Sequence, residues 1–372
     1  MNKLHLIAFN VPFPADYGGV IDIFYKIRAF HENGIKVILH CFEYGRHSSM
    51  ILNEICHKVY YYPRSRGPFY WLDTLPYIVS TRISKELTET LRRDNHPVLF
   101  EGLHTTACLK EITNASKKRR TIVRTHNVEH DYYRGLMEAE SNIPRKLYYY
   151  SEAAKLKRYE KVLNYAGGVA AISKADYGYF GSLYDNVNYV PAFHPYNEVD
   201  IQPGFGEYAL FHGNLSVPEN KRAVLYLIEN VFREMDYPFM IAGKEPGHEI
   251  IKSAEVNDHI KVVSNPDDKE MDTLIRHAHI NVLATFQATG IKLKLLSSLF
   301  RGRHCIVNPT MVEDTGLAGL CHVAHSGEEF RSTVEAVRKK EFLQEHISER
   351  RARLEEELSN VKNAQKLAAM LF

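Results

Sequence analysis

Three short stretches of the chain place polar, charged or conformationally free residues where an apolar run gives way to a helical pattern. In Arg124-Thr125-His126-Asn127-Val128-Glu129-His130, six of seven residues are polar or charged. A histidine at such a position can donate a hydrogen bond to a hydroxyl or phosphate, or act as a base. His126 is therefore the leading candidate for a catalytic group, with Glu129 beside it. Glu129 and His130 serve equally well as solvent-facing residues of a helix start. Near the beginning of the chain, Pro12 to Gly19 ends on Gly18-Gly19 and runs into a helix. Paired glycines there let a ligand approach free N–H groups, which favour an anion; a tight turn with no ligand is the alternative.

The third stretch, Thr285 to Leu296, follows an apolar run and starts a helix with Thr289, Gly290, Lys292 and Lys294, followed by Ser297. Lysine in a first turn opposes the helix dipole, so a bound diphosphate would explain the choice, whereas either lysine taken alone reads as solvated. Two further small-residue loops, Gly213-Asn214 and Gly243-Lys244, close apolar runs of the same half. There is no Asp-x-Asp, Cys/His cluster or His-Glu-x-x-His that would suggest a metal, and no G-x-G-x-x-G of an ordinary nicotinamide dehydrogenase. The five cysteines lie far apart, as free thiols in a reducing compartment do.

These loops need a frame that holds them side by side. Short apolar runs alternate with helical stretches from end to end, the pattern of parallel sheets covered by helices. Strands are expected near residues 4–9, 36–42, 58–62, 97–101, 121–125, 168–172 and 188–190, then near 208–212, 238–242, 260–263, 279–283, 304–307 and 321–324. The Pro- and Gly-rich segment 191–205 reads as a hinge. Residues 1–195 then form one α/β domain and 206–344 a second, while the helical residues 345–372 are expected to pack back across both. Open parallel sheets bind ligands beyond the carboxyl ends of their strands, so two facing sheets would enclose a cleft.

The 372 residues are 45% hydrophobic and 25% charged, with a formal net charge of +2. That is the balance of a soluble globular protein and not of a dedicated nucleic-acid binder. No apolar run approaches the ~18 residues of a membrane span, and residues 4–9 read as a first strand, not as a signal peptide. A cytoplasmic protein is expected. Between Lys117 and Lys161, twelve Lys/Arg stand against six Asp/Glu with tyrosines interleaved. This is either a solvated helix face or a surface that meets a lipid-diphosphate acceptor or anionic lipid on the inner membrane face.

Taken in order, Pro14–Gly19, Arg124–Glu129, the helix with Glu152, Leu156 and Glu160, Ala171–Ser173, His212–Asn220, Ile241–Pro246 and Gly290–Leu296 with Gly302 resemble the bacterial group 1 (family four) glycosyltransferases. The similarity covers nearly the whole chain. It implies the GT-B fold, two Rossmann-like domains, and transfer of a sugar from a UDP- or GDP-linked donor to a glycan or lipid-linked acceptor. The resemblance also implies catalysis without a metal or other cofactor, usually with retention of configuration. In that family the glycine loop and the histidine at the His126 position face the donor's phosphates and sugar, and the C-terminal domain holds the nucleotide.

Two departures bear on the site. The family's glutamate pair, which contacts sugar and ribose, falls on Thr289 and Ser297 here. A basic pair after the first C-terminal strand falls on Asn214 and Asn220. Lys292, Lys294 and Lys244 are left as the charges for the diphosphate, and Gly290 with Lys294 satisfies a Gly-x-x-x-Lys found in one branch. The same architecture serves sugar-nucleotide epimerases, and loss of the glutamates also fits a non-catalytic sugar-nucleotide-binding subunit.

Overall fold

The structure is a computed structural model that describes residues 2–71, 73–286 and 292–372. The chain forms two compact units, Met1–Pro195 with Leu358–Phe372, and Tyr196–Glu357. In the first, β1 (Lys3–Ala8), β2 (Lys36–Glu43), β3 (Lys58–Pro63), β4 (Val98–Glu101), β5 (Thr121–Thr125), β6 (Gly168–Ala171) and β7 (Val187–Tyr189) make one sheet in the order β3-β2-β1-β4-β5-β6-β7. Every pairing is parallel. Helices cover both faces, which is why the strands read as near-continuous apolar runs. Leu4, Leu6 and Ala8 pack with Ile23, Ile27 and Phe30 of the Gly18–Glu32 helix, while Ile7 packs on the other face with Val98, Phe100 and Leu91.

The second unit repeats the design with β8 (Ala209–Asn214), β9 (Phe239–Lys244), β10 (Ile260–Ser264), β11 (Ile280–Leu283), β12 (His304–Val307) and β13 (His322–Val323), in the order β10-β9-β8-β11-β12-β13, again all parallel. Each strand read from the sequence is present, with its ends within two residues. The largest extensions are those of β8 and β9, which run on past their apolar residues. Gly213 lies opposite Gly243 there, and a Cβ on Gly243 would sit 1.9 Å from the Gly213 carbonyl oxygen. Only glycine lets the two backbones stay paired.

Two segments differ from expectation. Residues 191–194, read as hinge, are built into the first unit: Pro191 O accepts from Arg124, and the Phe193 N–H donates to Asp22. The 345–372 helices do not act together. Helix Gln344–Glu357 belongs to the second unit, where buried Arg350 donates to the Gly302 and Arg303 carbonyls. Helix Asn360–Leu371 belongs to the first and sinks Ala364, Leu367 and Leu371 into its core. The Asn360 side chain closes on the His194 backbone from both sides, donating to His194 O at 2.7 Å and accepting from His194 N at 3.2 Å. No helix among the described residues is long and apolar enough to cross a membrane.

Candidate active site

Strand order reverses between β1 and β4 in the first sheet and between β8 and β11 in the second. Loops leaving the carboxyl ends of those strands diverge to opposite faces and open a crevice, the usual ligand position in an open α/β sheet. The candidate residues collect at these two places.

In the first unit a buried charge network underlies the crevice. Lys26 Nζ lies 2.7 Å from Asp22, one turn earlier on the same helix, and 2.9 Å from Glu101 at the end of β4. Arg124, at the end of β5, grips Asp22 with Nε and Nη2 at 3.0 and 2.8 Å. All four side chains are fully buried. Burial alone would raise the Asp22 carboxyl, but Arg124 and Lys26 hold it well below the ordinary range. Glu101 is likewise kept low by Lys26 and His126 against the penalty of burial. Two carboxylates and two cations leave the network neutral overall.

His126 stands on this base, with Nε2 2.9 Å from Glu101 Oε2. An ionised carboxylate only accepts, so Nε2 donates to Glu101, and Nδ1 accepts whenever the ring carries that single proton. Among the described residues, buried Nδ1 meets no hydrogen-bond partner. Glu101 Oε1, His104 Nδ1 and Glu129 Oε1 share that condition. His104 Nδ1 and Glu129 Oε1 are 3.9 Å apart. Buried groups of this kind are normally paired, so the unpaired His126 Nδ1, His104 Nδ1 and Glu129 Oε1, linked through the Phe9 ring and the His104–Glu129 approach, mark a surface made for a polar ligand.

Burial pushes the Glu129 carboxyl up to about 8, with Asp176 adding to it, and holds His104 well below the usual imidazole value. The carboxyl is therefore largely protonated at neutral pH. Glu129 and His130 are both buried, which corrects their reading as solvent-facing helix-start residues. His130 instead bonds the Tyr179 hydroxyl at 2.9 Å.

The glycines have a local role here. A Cβ on Gly19 would fall 2.6 Å from Phe9 Cζ, and the Phe9 ring in turn meets those of His104 and His126 at 5.1 and 5.4 Å. Gly19 thus lets the start of its helix close on the wall of the crevice, and Gly18 opens that helix. Arg46 clamps the preceding loop by donating to Pro14 O and pairing with Asp16. Arg82 is buried beside the same crevice and donates to Phe9 O at 2.9 Å; burial, then Arg64, lowers it to about 9.

In the second unit Lys294, in the first turn of helix Leu293–Arg301, reaches back over the ends of β8 and β11. Its Nζ donates to Asn220 Oδ1 at 2.9 Å and to Ala284 O at 3.3 Å. Asn220 Nδ2 donates to Asn214 O at 2.8 Å, so Asn214, Asn220 and Lys294 form one chain. Burial lowers the Lys294 ammonium to about 8. Glu219 Oε1 accepts from Thr285 Oγ1 at 2.7 Å and from the Phe286 N–H at 2.5 Å, and Asn308 holds Thr285 from the other side.

Of the other expected donor-site residues, Lys292 is the half-buried N-cap of this helix, Gly213 borders Asn220, and Lys244 is exposed at the end of β9. Ser297 is buried and spends its hydroxyl on Lys294 O at 3.0 Å. Thr289 and Gly290 lie outside the described residues.

Asp22, Lys26, Arg82, Glu101, His104 and Glu219 escaped the sequence reading. Their signal was present in part: Asp22 and Lys26 are a charged i, i+4 pair within an apolar helix, and Glu101 ends an apolar strand. Asp22, Glu101 and His126 each offer a ligand atom within 4.8 Å of the others, the geometry of a metal-ligand set. Arg124 and Lys26 pair with Asp22, and Lys26 with Glu101, so both carboxylates of that trio also belong to the ion-pair network.

No family model matches the chain. It is 26% identical over 336 residues to an uncharacterized 44.6 kDa protein in the cps region of Klebsiella pneumoniae, with 85% of each chain covered. Among solved structures it is similar to TarM (TM-score 0.69, 11% identity, 100% of this chain and 99% of that one). It is also similar to Anabaena Alr3699/HepE in complex with UDP and glucose (0.64, 10%, 100% and 99%) and to a glycosyltransferase from Rickettsia africae (0.64, 12%, 100% and 97%). The fold is therefore two Rossmann-like domains, the GT-B architecture.

Proposed function

We propose that this protein is a glycosyltransferase that moves a sugar from a UDP- or GDP-linked donor to a glycan or lipid-linked acceptor. The observation that carries the reading is Lys294. Cleaving a sugar–phosphate bond leaves negative charge on the departing diphosphate, and a preorganised, partly desolvated cation stabilises that charge as it develops. Lys294 is such a group. Its hydrogen-bond partners Asn220 and Ala284 are neutral, and it takes the place of the basic pair missing at Asn214 and Asn220. In the first unit His126 Nδ1 would accept from a sugar or acceptor hydroxyl, with Glu101 holding the ring, and Glu129 would donate. The UDP and glucose in the HepE complex support this assignment of ligand.

The reaction runs without a metal in this reading, which is supported by the positive charge of Lys294 and by the pairing of Asp22 and Glu101 with Lys26 and Arg124. Retention of configuration rests on the family resemblance alone. The test is incubation with a panel of UDP- and GDP-sugars in excess chelator. Slow donor hydrolysis is expected, lowered on the order of 10²-fold by His126→Ala. Conversion of the donor to an epimer would make the protein an isomerase, and binding without turnover a non-catalytic subunit. Activity lost to chelator and restored by manganese would refute the metal-free reading.

A further inference from the structure

We propose that the outward face of helix Ile143–Tyr159, with the turn Glu160–Tyr165 that continues it, docks the protein on an anionic phospholipid surface. At 3.6 residues per turn, Ile143, Leu147, Tyr150, Ala154 and Arg158 share one stripe about 80° wide. Its first three side chains are large, apolar or aromatic, and 71, 64 and 65% exposed. Phe69 and Trp71, also exposed, belong to a neighbouring turn: the Trp71 ring packs 5.7 Å from Tyr148, and Lys155 donates to Trp71 O at 2.8 Å. A stable fold has no use for so many exposed apolar side chains in one place, and a patch of this kind marks an interaction surface.

The charges choose the partner. From residue 143 to 165 the only carboxylates are Glu152 and Glu160, and both are buried. Arg145, Lys146, Lys157, Arg158 and Lys161 are all exposed, so every exposed charge of this element is positive. Beyond the apolar half of the stripe lies a pocket of about 460 Å³, whose lining includes Thr74, Lys110, Lys155, Arg158, Lys161 and Tyr165 but no carboxylate. Lys155 is paired with Glu152, and Lys157 lies 3.7 Å from Glu160. Among the described residues no carboxylate comes within ion-pair distance of Lys110, Arg158 or Lys161. Apolar side chains beside a cation-lined pocket match an acyl–headgroup boundary, with the aliphatic and aromatic groups inserted and a lipid phosphate seated in the pocket. An acidic protein would satisfy the cations but would not call for the protruding Ile143, Leu147 and Phe69.

Sedimentation of the full chain with vesicles of phosphatidylcholine, with and without phosphatidylglycerol, tests this. Binding only to the anionic vesicles, weakened by salt, is expected. Each lost cation should weaken it about fivefold, so the double variant Arg158→Glu, Lys161→Glu should bind at least about 25-fold more weakly. Leu147→Ser should weaken binding at any salt concentration. These residues are exposed, and an unchanged thermal transition in each variant would verify the fold. Equal binding to neutral and anionic vesicles would overturn the proposal, as would undiminished binding by the double variant. So would calorimetric binding of inorganic phosphate without any binding to anionic vesicles, which would make the pocket a site for free anions.

Discussion

Glu129→Gln replaces a buried carboxyl group by an amide of nearly the same shape that does not titrate. In the wild-type chain burial raises this carboxyl from 4.5 to about 8. A folded-state value above the unfolded one means that the folded chain keeps a proton which the unfolded chain releases. Its contribution is therefore complete below about pH 4.5 and is lost as the pH rises towards 8. At about 1.4 kcal/mol per pH unit, the loss by pH 8 is about 4–5 kcal/mol. The variant lacks this proton, so its stability should stay nearly level where that of the wild type falls. Trp71 is the single tryptophan and belongs to the first unit, as Glu129 does. Its fluorescence in urea titrations at pH 5, 6, 7 and 8 follows the relevant unit without requiring both to unfold together. The wild type should lose several kcal/mol relative to the variant between pH 5 and pH 8. A difference between the two chains that stays within about 0.5 kcal/mol at every pH would refute a protonated Glu129.

Lys294→Ala should weaken binding of UDP or GDP by roughly 1.5–3 kcal/mol, the usual worth of a charge-assisted hydrogen bond, and leave nucleoside binding unchanged. Because burial lowers the ammonium to about 8, its charge is present below that pH, and in calorimetry its share of diphosphate affinity should fade as the pH rises above it. Lys26→Met should destabilise the first unit by about 3–5 kcal/mol, since it leaves Asp22 and Glu101 buried with one cation fewer. The Trp71 urea transition measures that loss, and no change would mean the network is not held by its charges.

Much of this protein is local information. Strand positions follow from apolar runs bounded by turn residues, and the helix over Gly18–Glu32 from an apolar stripe that stops at Asn33-Gly34. The all-parallel arrangement follows from the alternation of strands with helices, because a parallel crossover needs a covering element. His126 was legible because a polar run at a strand's carboxyl end has one common use. Lys294 was legible because a cation in a first helical turn needs a reason.

What surrounds them was decided only by the tertiary structure. Asp22, Glu101 and Arg124 are separated by 79 and 23 residues of chain, and sheet order alone brings their side chains to one point. Glu129 read equally as a site residue and as a solvated helix start, because propensity does not report burial; packing makes it a carboxyl that keeps its proton. Glu219 and Asn220 lie in the first turn of helix Pro218–Leu227, and β11, lying beside β8, brings Lys294 and Thr285 onto them. The residues 345–372 read as one charged helical block, since their pattern does not say which core each helix enters. The apolar residues Ala364, Leu367 and Leu371 complete the first unit's core, while Arg350 finds its carbonyl partners in the second. Periodicity states that a face must be buried, and only the folded chain supplies what it is buried against.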